Sequence, residues 1–274
     1  MVIKGSDVNF AERYGPWALI AGASEGTGRA FARKAANQGL NCILVARREA
    51  QLAALAEEIR AESQVECMTC VVDLAATDAS DRIAAAVGAR DVGLYISNAG
   101  ADPNGAQFLE APIDGWVELV NRNVLTTLRC CHHFGGSMRA RGRGGIILVG
   151  SGACYGSSSN LAVYSASKAF DLCLGEGLWT EFRHHGVDVL NLILGRTDTP
   201  AFRELLARKG LPVPSGLASP DEVAEVGFAR LPFGPVHNWG LQDDEVGNAT
   251  NSAASRRERA LQMERMTKGI FGSK

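Results

Sequence analysis

The stretch WALIAGASEGTGRAFARKAANQG (17–39) decides the fold. WALIAG (17–22) is a short apolar run closed by glycine and reads as a buried strand. It passes directly into AGASEGTG (21–28), and TGRAFARKAANQG (27–39) reads as a helix ended by Gly39. Gly22, Gly26 and Gly28 therefore fall on a strand-to-helix turn, where backbone amides and a helix N-terminus can receive a pyrophosphate and a Cβ would block close approach. The spacing is Gly-x-x-x-Gly-x-Gly, which by itself fits a tight turn as well as a nucleotide site. Its place after the first strand of an alternating pattern favours the nucleotide.

Outward from this unit, apolar runs alternate with segments of helical period. NCILVAR (41–47), VECMTCVVDL (65–74), VGLYISNAG (92–100), GGIILVGS (144–151) and VDVLNLIL (187–194) read as further strands, making six. Leu52, Leu55, Ala56 and Ile59 recur at helical spacing, and longer helices are expected over about 112–141 and 162–185. This order predicts an α/β fold: one Rossmann-type domain spanning 1–274, with a doubly wound parallel sheet and helices on both faces. LARKGLPVPSGLASP (206–220) holds three prolines and two glycines and reads as a loop, with 200–219 a candidate substrate lid. Ser219-Pro220-Asp221-Glu222 then restarts a helix. Beyond residue 232 no seventh strand is legible: LPFGPVHNWGLQDDEVGNATNS (231–252) is turn-rich, and SRRERALQMERMTKGIF (255–271) resembles a terminal helix.

The 274 residues, 46% hydrophobic and 21% charged, are ordinary for a globular domain. Lys+Arg 28 against Asp+Glu 30 gives a net charge of −2, which offers no field to gather nucleic acid or an anionic membrane. The apolar stretches are too short and broken for a membrane span, and MVIKGSDVNF (1–10) lacks the features of a signal peptide, so the expected location is cytoplasmic. Seven cysteines suit reduced structural thiols in that setting. Cys67 and Cys70 form a Cys-x-x-Cys, but in a β-like run they project to opposite faces. His132, His133, His184, His185 and His237 show no metal-ligand spacing; they read as surface or helix-end residues, and no metal is expected.

Two constellations carry chemistry. The second strand ends Val45-Ala46-Arg47-Arg48, with no acid to repel a 2′-phosphate and two guanidiniums that could hold one, which favours NADP over NAD. Downstream, Ser151 ends the fifth strand, Tyr164 follows thirteen positions later, and Lys168 lies four beyond it on the same helix face. An adjacent ammonium favours the phenolate, so Tyr164 could exchange a proton with a carbonyl oxygen or hydroxyl while Ser151 holds the same oxygen.

With these residues in place the chain resembles the short-chain dehydrogenase/reductase family, compact single-domain branch, over residues 14 to about 231. The resemblance rests on AGASEGTG (21–28), Asp73-Leu74, Asn98-Ala99-Gly100, Asn123, Ser151, Tyr164-Ser-Ala-Ser-Lys168 and Gly195-Arg-Thr-Asp-Thr199. It implies a tetrad of Asn123, Ser151, Tyr164 and Lys168 and hydride transfer with NAD(P). It also implies that Lys168 binds the nicotinamide ribose, that Asp73 and Leu74 lie by the adenine, that Asn98, Ala99 and Gly100 line the cofactor cleft, and that Thr197 and Thr199 face the nicotinamide. Trp116, seven residues before Asn123, selects it over Asn121 by the family pattern. A dimer or tetramer through the helices at 112–141 and 162–185 is likewise implied, although core packing accounts for their apolar residues equally well.

Four departures matter. Thr27 replaces a branched apolar residue, and its hydroxyl could cap or contact phosphate. Leu194 replaces a proline before Gly195, which should loosen the turn carrying Thr197 and Thr199. Glu25 stands where one NADP-preferring branch is basic, leaving NADP selection to Arg47, Arg48 and Ser24. The seventh strand is missing. The expected function is NADPH-preferring interconversion of a ketone and a secondary alcohol on a hydrophobic substrate such as a steroid, a 3-oxoacyl compound or an aryl ketone. The pocket would be framed by 152–161, by 102–105 and by the lid. A catalytically silent NADP sensor and an NAD-dependent alcohol dehydrogenase are the alternatives; an epimerase of the longer branch would need a larger C-terminal substrate domain.

Overall fold

Five consecutive apolar residues make Trp17–Ala21 (β1) a strand covered on both faces, and side chains alternate between two separate cores. Ala18 and Ile20 enter one cluster, while Trp17, Leu19 and Ala21 enter the other. The same alternation runs through Asn41–Ala46 (β2), where Cys42 and Leu44 oppose Ile43 and Val45. In Cys67–Val71 (β3) it separates Cys67 from Cys70, as their spacing requires. The computed structural model describes residues 10–102, 105–155, 157, 160–208, 210–239, 254, 255, 257 and 258.

Val92–Ser97 (β4), Gly144–Ser151 (β5), Val187–Leu194 (β6) and Val236–Trp239 (β7) complete a seven-stranded parallel sheet of order β3-β2-β1-β4-β5-β6-β7. The strand order reverses between β1 and β4, which opens a crevice at the carboxyl ends of the strands. One face is covered by the short helix Phe10–Tyr14 (α1) and by Gly26–Asn37 (α2), Glu49–Ser63 (α3) and Pro220–Arg230 (α9), through Tyr14, Phe31, Leu52, Leu55, Val223 and Phe228. The other is covered by Ala79–Val87 (α4), Thr126–Arg141 (α6) and Ala162–Phe182 (α7), through Ile83, Cys130, Phe134 and Trp179.

The structure corrects several expectations. The seventh strand exists, within the segment read as turns: Val236–Trp239 pairs in parallel with β6 from Asn191↔Val236 to Leu194↔Trp239. His237 on this strand is buried, 8% exposed, with its ring 6.5 Å from that of Trp239, so it is a core histidine. His132, His133, His184 and His185 are exposed. The expected loop at 206–220 begins as helix, because Pro200–Arg208 (α8) carries Leu206 to Arg208 and buries Leu206. The long helix expected at 112–141 is Ile113–Val120 (α5) and α6 joined by a π-helical turn, Asn121–Leu125. At α9 the capping box forms as read, with Ser219 Oγ accepting from Glu222 N–H at 3.1 Å and Glu222 Oε2 from Ser219 N–H at 2.9 Å. The terminal helix expected over 255–271 lies for the most part outside the described residues.

Candidate active site

The glycine-rich turn closes onto the end of β4. Gly22 has φ +86°, and a Cβ there would stand 2.9 Å from the Ala99 nitrogen; a Cβ on Gly28 would stand 1.9 Å from the Gly22 oxygen. These glycines let the turn pack against Asn98-Ala99. Asn98 clamps it: Nδ2 donates to the Gly22 oxygen at 3.1 Å, and Oδ1 accepts from Thr27 Oγ1 at 2.6 Å. Thr27 thus turns its hydroxyl inward, so a phosphate contact from this residue falls to its backbone N–H. Glu25 at the N-cap of α2 makes no side-chain cap, leaving the first-turn amides available to an anion.

At the mouth of this turn Arg48 donates to Ser24 Oγ at 2.8 Å and pairs with Glu25 Oε2 at 2.9 Å. Glu25 does not empty the site of positive charge; it draws one guanidinium over the glycine turn. Arg47 is exposed beside it. Asp73 accepts from Ala75 N–H at 3.0 Å, and the buried Leu74 accepts at its carbonyl from Thr126 Oγ1 at 2.9 Å, which fixes the loop after β3. Sequence reasoning missed Arg122, in the π turn. It is partly buried, and its guanidinium makes no hydrogen bond or ion pair among the described residues. Burial lowers its guanidinium below the usual arginine value; the charges of Asp73, Glu118 and Asp102 raise it, and Arg47 opposes it. An arginine immediately before Asn123 was the available signal.

The polar residues of the proposed tetrad come from three elements. Asn123 is fully buried and Nδ2 donates to Ser167 Oγ at 3.0 Å, while Ser167 Oγ donates to the Tyr164 carbonyl at 2.7 Å. The π turn thereby grips the Tyr164–Lys168 turn of α7, and Asn121 is only partly buried. Lys168, 3% exposed, donates to the Val149 carbonyl of β5 at 2.9 Å and to Asp171 Oδ2 at 3.2 Å. A Cβ on Gly100 would stand 2.5 Å from Lys168 Nζ and 3.8 Å from Asn123 Cγ, so Gly100, Lys168 and Asn123 meet at one point. Burial works against the ammonium, but Asp171 and Tyr164 hold the Lys168 pKa above the usual lysine value, so it stays charged. Ser151 ends β5 and its Oγ accepts from Ala153 N–H at 3.3 Å.

Leu194 does not loosen the next segment. It extends β6 opposite Ser151 on one side and Trp239 on the other, and Gly195 N–H donates to the Trp239 carbonyl at 2.9 Å. Thr197 bridges to Ala218, and Thr199 Oγ1 accepts from Phe202 N–H at 3.2 Å at the start of α8. Tyr155, in the turn after β5, donates its hydroxyl to Asn238 Oδ1 of β7 at 2.8 Å and packs against the cluster of Leu172, Ile193 and Val236. A groove between α4 and α6, lined by Ser80, Leu128, Arg129 and His132, is separate from these residues.

A family profile described as short chain dehydrogenase matches residues 16–210. The chain is 34% identical over 226 residues to a 7beta-hydroxysteroid dehydrogenase of Collinsella aerofaciens, covering 82% of this chain and 86% of that protein. A structure solved for 7beta-hydroxysteroid dehydrogenase stereoselectivity superposes with TM-score 0.78 and 31% identity, over 94% of each chain. A short-chain dehydrogenase from Sphingobium yanoikuyae, solved in complex with NADPH, gives TM-score 0.75 and 27% identity, over 95% of this chain and 97% of the other. The parallel sheet, the glycine turn at its switch point and the extent of these matches lead to one conclusion: the chain belongs to the short-chain dehydrogenase/reductase family and is an oxidoreductase acting on CH–OH and C=O groups.

Proposed function

We propose that the protein is an NADPH-dependent reductase of a ketone on a bulky hydrophobic substrate, able to run in reverse as a secondary-alcohol dehydrogenase. The observation that carries this reading is the buried Lys168 ammonium, pinned beneath Gly100 within one helical turn of Tyr164 and braced by Asn123 through Ser167. The chain also fits the cofactor: uncapped amides begin α2, and Arg47, Arg48 and Arg122 gather at the adenosine end. Bound NADPH supplies the hydride. Tyr164 gives its proton to the carbonyl oxygen, Ser151 Oγ steadies that oxygen as it gains charge, and Lys168 lowers the cost of the resulting phenolate and holds the nicotinamide ribose. Asn98, Asp73 and Leu74 shape the adenine and cleft walls, and Thr197 and Thr199 bound the nicotinamide end.

The substrate side is framed by the described residues of 152–161 and by a lid of α8 with the described residues of the loop that follows it to 219. Phe202, Leu206 and Leu211 give the lid an apolar character, and Arg203 is committed to Asp198 at 2.5 and 2.7 Å, which leaves one fewer cation for an acyl-carrier phosphate. The sterol-related relatives support a steroid-sized ketone. We further propose assembly as a dimer or tetramer through α5–α6 and α7, where Val117, Leu125 and Leu128 remain exposed. The test is NADPH oxidation against steroid, 3-oxoacyl and aryl ketones, with NADH and Tyr164→Phe in parallel. Turnover of one ketone class with NADPH, lost in Tyr164→Phe while NADPH binding persists, is expected; activity surviving in Tyr164→Phe would sink the mechanism.

A further inference from the structure

We propose that Asp171 is a positioning residue for the Tyr164–Lys168 pair, its buried carboxylate fixing where the lysine ammonium stands and how much of its charge reaches the phenol. The proposal rests on the functional reading above and deepens it. Asp171 lies three residues beyond Lys168 on α7, hence on the same face, with Oδ2 3.2 Å from Nζ and both residues at least 96% inaccessible. An ammonium has three N–H donors. Val149 and Asp171 take two, so one is left on the side of Gly100 to meet a ribose hydroxyl.

The pair has no evident use in stability. A buried ion pair often does no better than a well-packed apolar pair, and here the second carboxylate oxygen, Oδ1, is buried with no hydrogen bond among the described residues. The fold therefore bears a costly group whose only polar partner among the described residues is the lysine beside Tyr164. The other titratable groups facing the pair are Tyr164 on α7, Cys154 from the turn after β5, and Cys131 from α6. Burial raises the Asp171 carboxyl and Lys168 draws it back, whereas Asp171 and Tyr164 sustain the ammonium. An anion next to the ammonium offsets part of the attraction that would favour a phenolate at Tyr164. Asp171 thus keeps the lysine charged and in place while moderating its pull on the tyrosine.

Asp171→Asn keeps the shape and an acceptor and removes the charge. Two readouts are needed: the pH dependence of kcat/KM in the alcohol-oxidising direction, and NADPH affinity from its fluorescence. The acid limb of the profile is expected to move down by about half to one pH unit, and the NADPH Kd to weaken about threefold or more as the ribose-binding lysine is less firmly held. With an active wild type, an unmoved limb or one that moves up would overturn the proposal. A wild type that binds NADPH but turns over no alcohol or ketone would instead overturn the functional reading, and the NADPH Kd of Asp171→Asn would then decide for Asp171 alone. If Asp171→Asn does not fold, Lys168→Met is compared with Lys168→Met/Asp171→Leu by thermal melting. A carboxylate that serves the lysine is stranded in the single variant, so the double variant should melt several degrees higher; no recovery would overturn the assignment.

Discussion

Gly100 has open backbone and no room for a methyl group, and the obstruction is the working end of Lys168, 2.5 Å from Nζ and 3.1 Å from Cε. Lys168 is buried and held by Val149 and Asp171, so Gly100→Ala should shift the ammonium within those contacts rather than eject it, at a modest cost in stability. Because small misplacements at a reacting centre are costly in rate, kcat/KM should fall ~10- to 100-fold, with Tm within a few degrees of wild type; steady-state assays beside thermal melts separate the two. The adenosine end gives a second residue-scale prediction. Arg48→Leu removes a charge-assisted contact and should weaken NADPH about tenfold or more while leaving NADH within about twofold. Glu25→Gln removes the anion 2.9 Å from Arg48 and should tighten NADPH about threefold at low salt, an effect that high salt erases. Titrations of both cofactors at two ionic strengths check this. The place of Arg48 beside the glycine turn was legible from the end of its strand. The inward turn of the Thr27 hydroxyl was not, since its acceptor Asn98 lies 71 positions away.

Elements were legible where burial dictates a pattern. β1, β2, β5 and β6 are predominantly apolar runs with covered faces and stand where the sequence placed them to within a residue. β7 was illegible because four residues, Val236-His237-Asn238-Trp239, carry two polar side chains at buried positions. Its strand character comes from the edge of β6, and the Asn238–Tyr155 hydrogen bond satisfies one of those polar groups. Tertiary pairing overrode weak propensity there. The π turn at Asn121–Leu125 was equally hidden, since an extra residue in one turn leaves the apolar period of the flanking helices almost intact. α9 shows the opposite case: its start was written in Ser219-Pro220-Asp221-Glu222, and both capping hydrogen bonds form. Ser219→Ala should therefore lower Tm by about 2 °C without touching NADPH affinity, because α9 packs on α2 behind the sheet and not in the cleft. Differential scanning fluorimetry with and without NADPH distinguishes a cap from a cleft residue.

At the scale of the whole molecule the sheet divides the apolar residues into two cores, and all seven cysteines are free, five of them buried in those cores. Burial pushes the Cys67 thiol up to about 11 and the Cys130 thiol up to about 12, and raises Cys42, Cys70 and Cys131 as well. Burial likewise raises the phenols of Tyr95 and of Tyr14, the latter also held by Asp188 at 2.6 Å. A group whose folded pKa is raised binds its proton more tightly in the native state. The stability it contributes is complete below its unfolded pKa and is lost as pH rises through the interval to the folded value, at most ~1.4 kcal/mol per pH unit for each group. The thiols begin this loss near pH 8.5 to 9 and the two phenols near pH 10. Tm should accordingly be level from about pH 6.5 to 8 and fall by more than about 10 °C between pH 8 and 10, and Cys130→Ala/Cys131→Ala should flatten the fall while lowering the plateau. A melting temperature that holds steady to pH 10 would refute this account of the cores. The consequence reaches the proposed chemistry, because oxidation of an alcohol releases a proton and so gains from alkaline pH. The same rise in pH that favours alcohol oxidation loosens the sheet that carries Ser151 and Val149, and the upper limit of the activity profile in that direction should follow the melting curve and shift upward in the double cysteine variant.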